Sequence, residues 1–239
     1  QEDKVSGFCP GCMHSTIIKL VGKVMEELGI VDKTVCINGI GCCGLHIDYI
    51  AYDNITAPHG RACAVATGLK RCRPDTIYFT YQGDGDLASI GLAETMSAAN
   101  RGENFTVIFV NNGIYGMTGG QLAPTTLVGM KASTAPKGRN PEEHGYPMHV
   151  CEVLNDLEAP VYLERVSCNT PQNVMKTKQA IKKAFQNQIN KKGFSLVEIM
   201  ASCPTNWGLD QLEALDFLQD KMLKEFPLGV IRDRTQEVH

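Results

Sequence analysis

Ile17, Leu20, Val21, Val24, Met25 and Leu28 recur at three- and four-residue spacing, which predicts an amphipathic helix over about 14–28, closed by Gly29. Five short runs rich in β-branched and aromatic residues predict strands at 34–37, 76–81, 105–110, 161–166 and 194–199. Helix-like patterns fill about 60–72, 89–101, 171–191 and 209–224. That alternation predicts an α/β fold, an open and mainly parallel sheet with helices on both faces. The runs at 76–81 and 105–110 are almost wholly apolar, as strands covered on both sides must be, and are therefore expected at the centre of the sheet.

Residues 111–149 break the rhythm with closely spaced glycines and prolines. A connection of that length inside a folded unit is usually functional. No internal repeat, low-complexity tract or Gly/Ser linker divides the chain, so 1–239 is expected to be one domain, with an N-terminal Cys-x-x-Cys segment and a C-terminal helix and arm. The stretch from about 225 carries no legible chemistry and is expected to be a subunit-contact arm, with a free tail as the alternative.

Composition narrows the function. With 43% apolar residues a substantial core is possible, and 23 basic against 26 acidic residues, without blocks of one sign, argue against nucleic acid as a partner. No apolar run is long enough to span a bilayer, and Gln1-Glu2-Asp3-Lys4 lacks the basic-then-apolar character of a leader, so a soluble, cytoplasmic chain without membrane association is expected. Ten cysteines are many for a protein of a reducing compartment and raise the question of metal or cluster ligation.

Gly83-Asp84-Gly85-Asp86 follows the run at 76–81, and Asn111-Asn112-Gly113 follows the run at 105–110. Each alone is an ordinary turn; together, at the carboxyl ends of strands, they offer a carboxylate and an amide oxygen to one hard cation such as Mg²⁺. Glycines beside Asp84 and the helix start that follows suit a metal-bound diphosphate. Cys9-Pro-Gly-Cys12 opens the first helix, Cys42-Cys43 follows the run at 34–37, and Cys203 follows the last strand, so four thiolates could converge beside the same turns. Zinc and a redox dithiol remain alternatives for a Cys-x-x-Cys. A redox dithiol of the thioredoxin type needs a strand before the motif, which eight residues hardly supply.

Gly83-Asp84-Gly85 with Asn112 placed 28 residues after Asp84 resembles the thiamine diphosphate signature, in which Mg²⁺ is held by positions matching Asp84, Asn112 and the carbonyl of Ile114. With the cysteines included, almost the whole chain resembles the β subunit of the 2-oxoacid:ferredoxin oxidoreductases, in the branch acting on 2-oxoisovalerate, related 2-oxoacids or 2-oxoglutarate. The stretches that carry this are Cys9–His14, Gly39–Gly44, His59–Ala62, Tyr81–Asp86, Asn111–Gln121, Pro124–Thr126 and Cys203–Thr205. The resemblance implies a pyrophosphate-type, thiamine-diphosphate-binding domain and a [4Fe–4S] cluster on Cys9, Cys12, Cys42 and Cys203, with the choice between Cys42 and Cys43 open. Met13 replaces a Gly usual in the family.

The same resemblance implies cofactor contacts at Gly41, Cys42, His59, Gly83, Asp84, Gly85, Asp86, Asn112, Ile114, Tyr115, Gly116, Met117 and Thr118, and a catalytic role for His59. Arg61 is expected near the pocket, or else as a cap and surface residue. Met117, where pyruvate-specific relatives carry Asn, points to a larger, branched substrate. The implied activity is oxidative decarboxylation of a 2-oxoacid with coenzyme A to acyl-CoA, CO₂ and reduced ferredoxin, its direction open. The implied partners are an α (pyrimidine-binding) subunit, which supplies the carboxylate that activates thiamine, and small γ and ferredoxin-like δ subunits. The chain alone is expected to be inactive. A non-oxidative thiamine diphosphate decarboxylase or carboligase would leave the cysteines unexplained. A non-catalytic iron–sulfur electron-transfer subunit would leave Asp84 and Asn112 idle. Cys36, Cys63, Cys72, Cys151 and Cys168 lack ligand spacing and read as buried free thiols, and the lysines between 176 and 192 as a solvated helix face.

Overall fold

The structure, a computed structural model, describes residues 6–236. Its strands are β1 (Thr34–Asn38), β2 (Asp53–Thr56), β3 (Ile77–Gly83), β4 (Thr106–Asn111), β5 (Ile114–Tyr115), β6 (Gln121–Leu122), β7 (Tyr162–Ser167), β8 (Ser195–Met200) and β9 (Gly229–Asp233). Its helices are α1 (His14–Leu28), α2 (Ala62–Cys72), α3 (Leu92–Asn100), α4 (Pro141–His144), α5 (Val150–Asn155), α6 (Pro171–Ile189), α7 (Pro204–Trp207), α8 (Gln211–Phe217) and α9 (Leu223–Glu225). Local chemistry sets the ends. Gly29 closes α1 in the left-handed conformation, Thr170 caps α6 ahead of Pro171, and Asp210 with Glu213 forms a capping box on α8.

One seven-stranded sheet has the order β2-β1-β3-β4-β8-β7-β9. All pairs are parallel except β7 with β9. The two most apolar strands, β3 and β4, sit inside the sheet as expected, and alternate residues of β4 enter different cores. Ile108 and Val110 pack with α1, α6 and Leu218, while Val107 and Phe109 pack with residues of α2, α3 and α5. Burial on both faces is why these strands read as continuous apolar runs.

Over Gly229–Asp233 the free-tail alternative does not hold, because β9 pairs antiparallel with β7 along the sheet edge. The edge strands β2 and β9 went unseen because they are largely exposed and polar, without the apolar pattern of a covered strand. Cys72 is exposed at the end of α2 rather than buried, whereas Cys36, Cys63 and Cys151 are buried and Cys168 is half-buried.

A buried ion chain crosses the far half of the sheet. Arg165 donates to Glu198 at 2.8 Å and to Glu152, and Glu198 in turn accepts from Asn111 at 2.8 Å. Arg165→Met would strand the fully buried Glu198 carboxylate. A loss of about 3–5 kcal/mol in unfolding free energy is expected from urea titration; a loss below about 1 kcal/mol would show that the chain does not anchor the sheet.

Candidate cofactor site and cysteine cluster

Because β1, β3, β4 and β8 run parallel, Asn38, Gly83, Asn111 and Met200 end at one edge of the sheet. From β1 the chain moves outward to β2, while β3 starts the succession on the other side, so the loops after β1 and β3 part and leave a crevice. A cleft of about 200 Å³ occupies it, lined by His14, residues 40–43, His59, residues 83–86, Ser89, Ile90, Asn112 and residues 114–118.

Asp84 Oδ1 accepts from the Gly85 N–H at 2.8 Å, and its Oδ2 accepts from the Ile114 N–H at 3.1 Å. The same Ile114 N–H also reaches Asn112 Oδ1 at 3.1 Å, so the two side-chain oxygens predicted from the turns converge on one point. Burial pushes the Asp84 carboxyl up to about 7, against the pull of the Gly85 and Ile114 amides. No Lys or Arg lines the cleft. A buried carboxylate beside an amide oxygen, with no cationic side chain at hand, is a donor set suited to a divalent cation. Gly85 is required here by contact, since a Cβ would lie 3.0 Å from the Tyr115 ring.

Asp86 organises the walls of the crevice. Its carboxylate accepts from the Ile40 and Gly60 amides at 2.9 Å each, from Gln82 at 2.7 Å and from His59 Nδ1 at 2.7 Å. His59 is thereby fixed with its Nε2 side free, half-exposed at the cleft. Arg61 does not line the cleft; it pairs with Glu94 at 2.8 Å and with the Ile90 carbonyl, as a surface residue at the start of α2. Thr118 donates to Gln121, and Met117 stands exposed at the cleft mouth.

Burial first, and then neighbouring thiols with Cys9 among them, push Cys12 up to about 12 and Cys42 up to about 11 and raise Cys203. Among the described residues no three His, Cys, Asp or Glu side chains stand close enough together to hold one ion. The Cys9–Cys12 turn is joined to the Cys203 segment by a bond from Ser202 Oγ to the Gly11 carbonyl at 2.8 Å. A Cβ on Gly116 would meet Cys42 Sγ at 3.3 Å and Cys203 Sγ at 3.6 Å, so the loop at 114–118 and these two thiols touch at this residue. Of the adjacent pair, Cys42 faces the other thiols, whereas Cys43 is buried in the core.

Several residues that position the site had no role legible in the sequence. Arg139 is buried and its guanidinium donates to six carbonyls, those of Ala123, Pro124, Thr126, His144, Gly145 and Tyr146, which is how the irregular 111–149 segment holds its shape. His14 Nδ1 meets the Tyr81 hydroxyl at 2.7 Å between the Cys9–Cys12 turn and the sheet. His46 Nδ1 donates to the Cys43 carbonyl at 2.6 Å, while its other face meets Cys36, Tyr52 and Tyr81.

Burial lowers the His46 pKa from 6.5 to about 4. Between those values the unfolded chain binds the proton and the fold does not, so stability falls on acidification through this window. From about pH 7.5 to about pH 5.5 the expected loss from this group is about 1 kcal/mol. Urea titrations at both pH values should show it, and His46→Gln, which can still donate to Cys43, should flatten the difference.

Residues 39–199 match the family described as "Thiamine pyrophosphate enzyme, C-terminal TPP binding domain". The chain is 50% identical over 230 residues to ketoisovalerate oxidoreductase subunit VorA of Methanothermobacter thermautotrophicus, covering 96% of this chain and 48% of that relative. It therefore spans about half the length of that relative. To 2-oxoglutarate synthase subunit KorB of Methanocaldococcus jannaschii it is 36% identical, covering 96% of this chain and 82% of that one. Among solved structures, a 2-oxoglutarate:ferredoxin oxidoreductase from Magnetococcus marinus, with 2-oxoglutarate, coenzyme A and succinyl-CoA bound, matches 97% of this chain and 82% of its own with a TM-score of 0.79 at 30% identity. The family match, the relatives and the fold agree, and the chain belongs to the thiamine-pyrophosphate-binding subunits of the 2-oxoacid:ferredoxin oxidoreductases.

Proposed function

We propose that this subunit clamps the diphosphate end of thiamine diphosphate through Mg²⁺ and carries a [4Fe–4S] cluster. It works in a complex that oxidatively decarboxylates a 2-oxoacid with coenzyme A, giving acyl-CoA, CO₂ and reduced ferredoxin. The favoured substrate is 2-oxoisovalerate or another branched-chain 2-oxoacid, with 2-oxoglutarate next. The observation that carries this reading is the meeting of two donor sets at one loop: Asp84 and Asn112 oxygens converge on the Ile114 N–H, and Cys42 and Cys203 flank Gly116.

When bound, thiamine diphosphate would supply the carbanion and electron sink for decarboxylation, with the cluster as the nearby electron acceptor. Asp84, Asn112 and the Ile114 carbonyl would hold the metal, and Gly41, Gly83 and Gly85 would let the backbone approach the diphosphate. His59, with Nδ1 held by Asp86, presents Nε2 to the cleft as the group able to take or give a proton. Tyr115, Gly116, Met117 and Thr118 form the wall toward the thiols. Ile40, Ile90 and Met117 are exposed at the cleft, which suits an apolar substrate side chain better than a second carboxylate. The open cleft would be completed by an α (pyrimidine-binding) subunit, with γ and ferredoxin-like δ subunits as further partners in a cytoplasmic hetero-oligomer.

The test is iron and acid-labile sulfide analysis of the anaerobically purified complex, with EPR after dithionite and after 2-oxoacid plus coenzyme A. One [4Fe–4S] cluster per copy of this chain is expected, with reduction by 2-oxoisovalerate exceeding that by 2-oxoglutarate. Zinc in place of iron, or a cluster that answers to no 2-oxoacid, would refute the redox reading.

A further inference from the structure

The helical turn α7 begins directly after Cys203 and contains two side chains that reach back to the cofactor loop. Asn206 Nδ2 donates to the Gly116 carbonyl at 3.0 Å and lies 3.4 Å from Cys203 Sγ. Both amide hydrogens are therefore engaged, one by the loop and one by the thiol. The neighbouring Trp207 Nε1 donates to the Asn112 carbonyl at 3.2 Å, on the turn that carries the metal donors. The loop is free to approach because residue 120 is glycine; a Cβ there would stand 3.0 Å from Asn206 Oδ1.

We propose that Asn206 is a positioning residue that couples the occupancy of the diphosphate site to the reduction potential of the cluster, by sharing one amide group between Cys203 and the Gly116 carbonyl. This rests on the cofactor and cluster reading above. An N–H donor to a ligating sulfur stabilises the more negative, reduced cluster and so raises its potential. Movement of Gly116 as the metal turn closes on a diphosphate would shift the same amide relative to Cys203. Trp207 ties the turn at Asn112 to the same helical segment, so both ends of the cofactor loop act on α7.

The experiment is an EPR-monitored redox titration of the intact complex, with and without Mg²⁺ and thiamine diphosphate. In the unsubstituted complex the midpoint potential should differ between the two states. Asn206→Leu keeps the volume and removes both donors; its potential should be more negative, and the effect of the cofactor should disappear. Trp207→Phe keeps the ring against Phe217 and removes only the bond to Asn112; it should leave the cofactor-free potential unchanged and reduce the shift. Should Asn206→Leu fail to retain iron, Trp207→Phe decides alone. Iron-replete variants with the unsubstituted potentials in both states would overturn the coupling while leaving the function intact. A complex without iron would overturn the cluster reading and this inference with it.

Discussion

Asp84→Asn is expected to weaken Mg²⁺-dependent binding of thiamine diphosphate by at least ~100-fold, more than the usual loss on removing an outer-shell partner of a metal ligand. The same substitution should leave the cofactor-free fold as stable as before, or more so. Asp84 is 4% exposed, receives only N–H donors and is raised to about 7 by burial, so its charge is a cost to the fold until a cation arrives. Asparagine keeps one oxygen for the Gly85 amide and removes that charge, and the Ile114 N–H, though it loses Oδ2, still donates to Asn112 Oδ1. Calorimetric titration of the complex together with thermal unfolding separates the two effects. Unchanged cofactor binding, or a collapse of stability, would show Asp84 to be a structural cap on the turn rather than a metal donor.

Replacing one residue of the adjacent cysteine pair should have opposite results depending on which is chosen. Cys42→Ala removes the sulfur that faces Cys9 and Cys203 across Gly116, and the cluster iron and its EPR signal are expected to be lost. Cys43→Ala removes a thiol buried in the core near Tyr81, and should cost about 1 kcal/mol of stability from the small cavity while leaving the iron in place. Iron analysis of the two variants reads the difference directly. Retention of iron in Cys42→Ala with loss in Cys43→Ala would exchange their roles.

The four candidate cluster thiols were found in the sequence because each stands at the edge of a regular element, at the start of α1 or just after β1 and β8. Asp84 and Asn112 were legible for the same reason, as polar turn residues following two almost wholly buried strands. The choice between Cys42 and Cys43 was not legible. Side-chain direction in the 3₁₀ turn at Cys42–Tyr49 depends on what packs beneath it, and His46 and Tyr81 are distant in sequence from each other. Asn206, Trp207, Arg139 and the Arg165–Glu198–Asn111 chain were invisible for a related reason. Each is one polar side chain of common type, and it acquires a role only when folding brings to it carbonyls, carboxylates or a sulfur from remote segments.

The sequence by itself determined the α/β architecture, the two central strands, the end of the sheet where chemistry would sit and the residue types able to do it. Those follow from hydrophobic period, turn composition and cysteine spacing, which are local properties of the chain. Only the tertiary structure decided which oxygens meet at Ile114, which cysteine faces the others, that His59 is held by Asp86, and that the last described segment closes the sheet as β9. Those depend on the register and crossing of strands far apart in sequence. A one-residue shift in register would turn the same side chains to the opposite face.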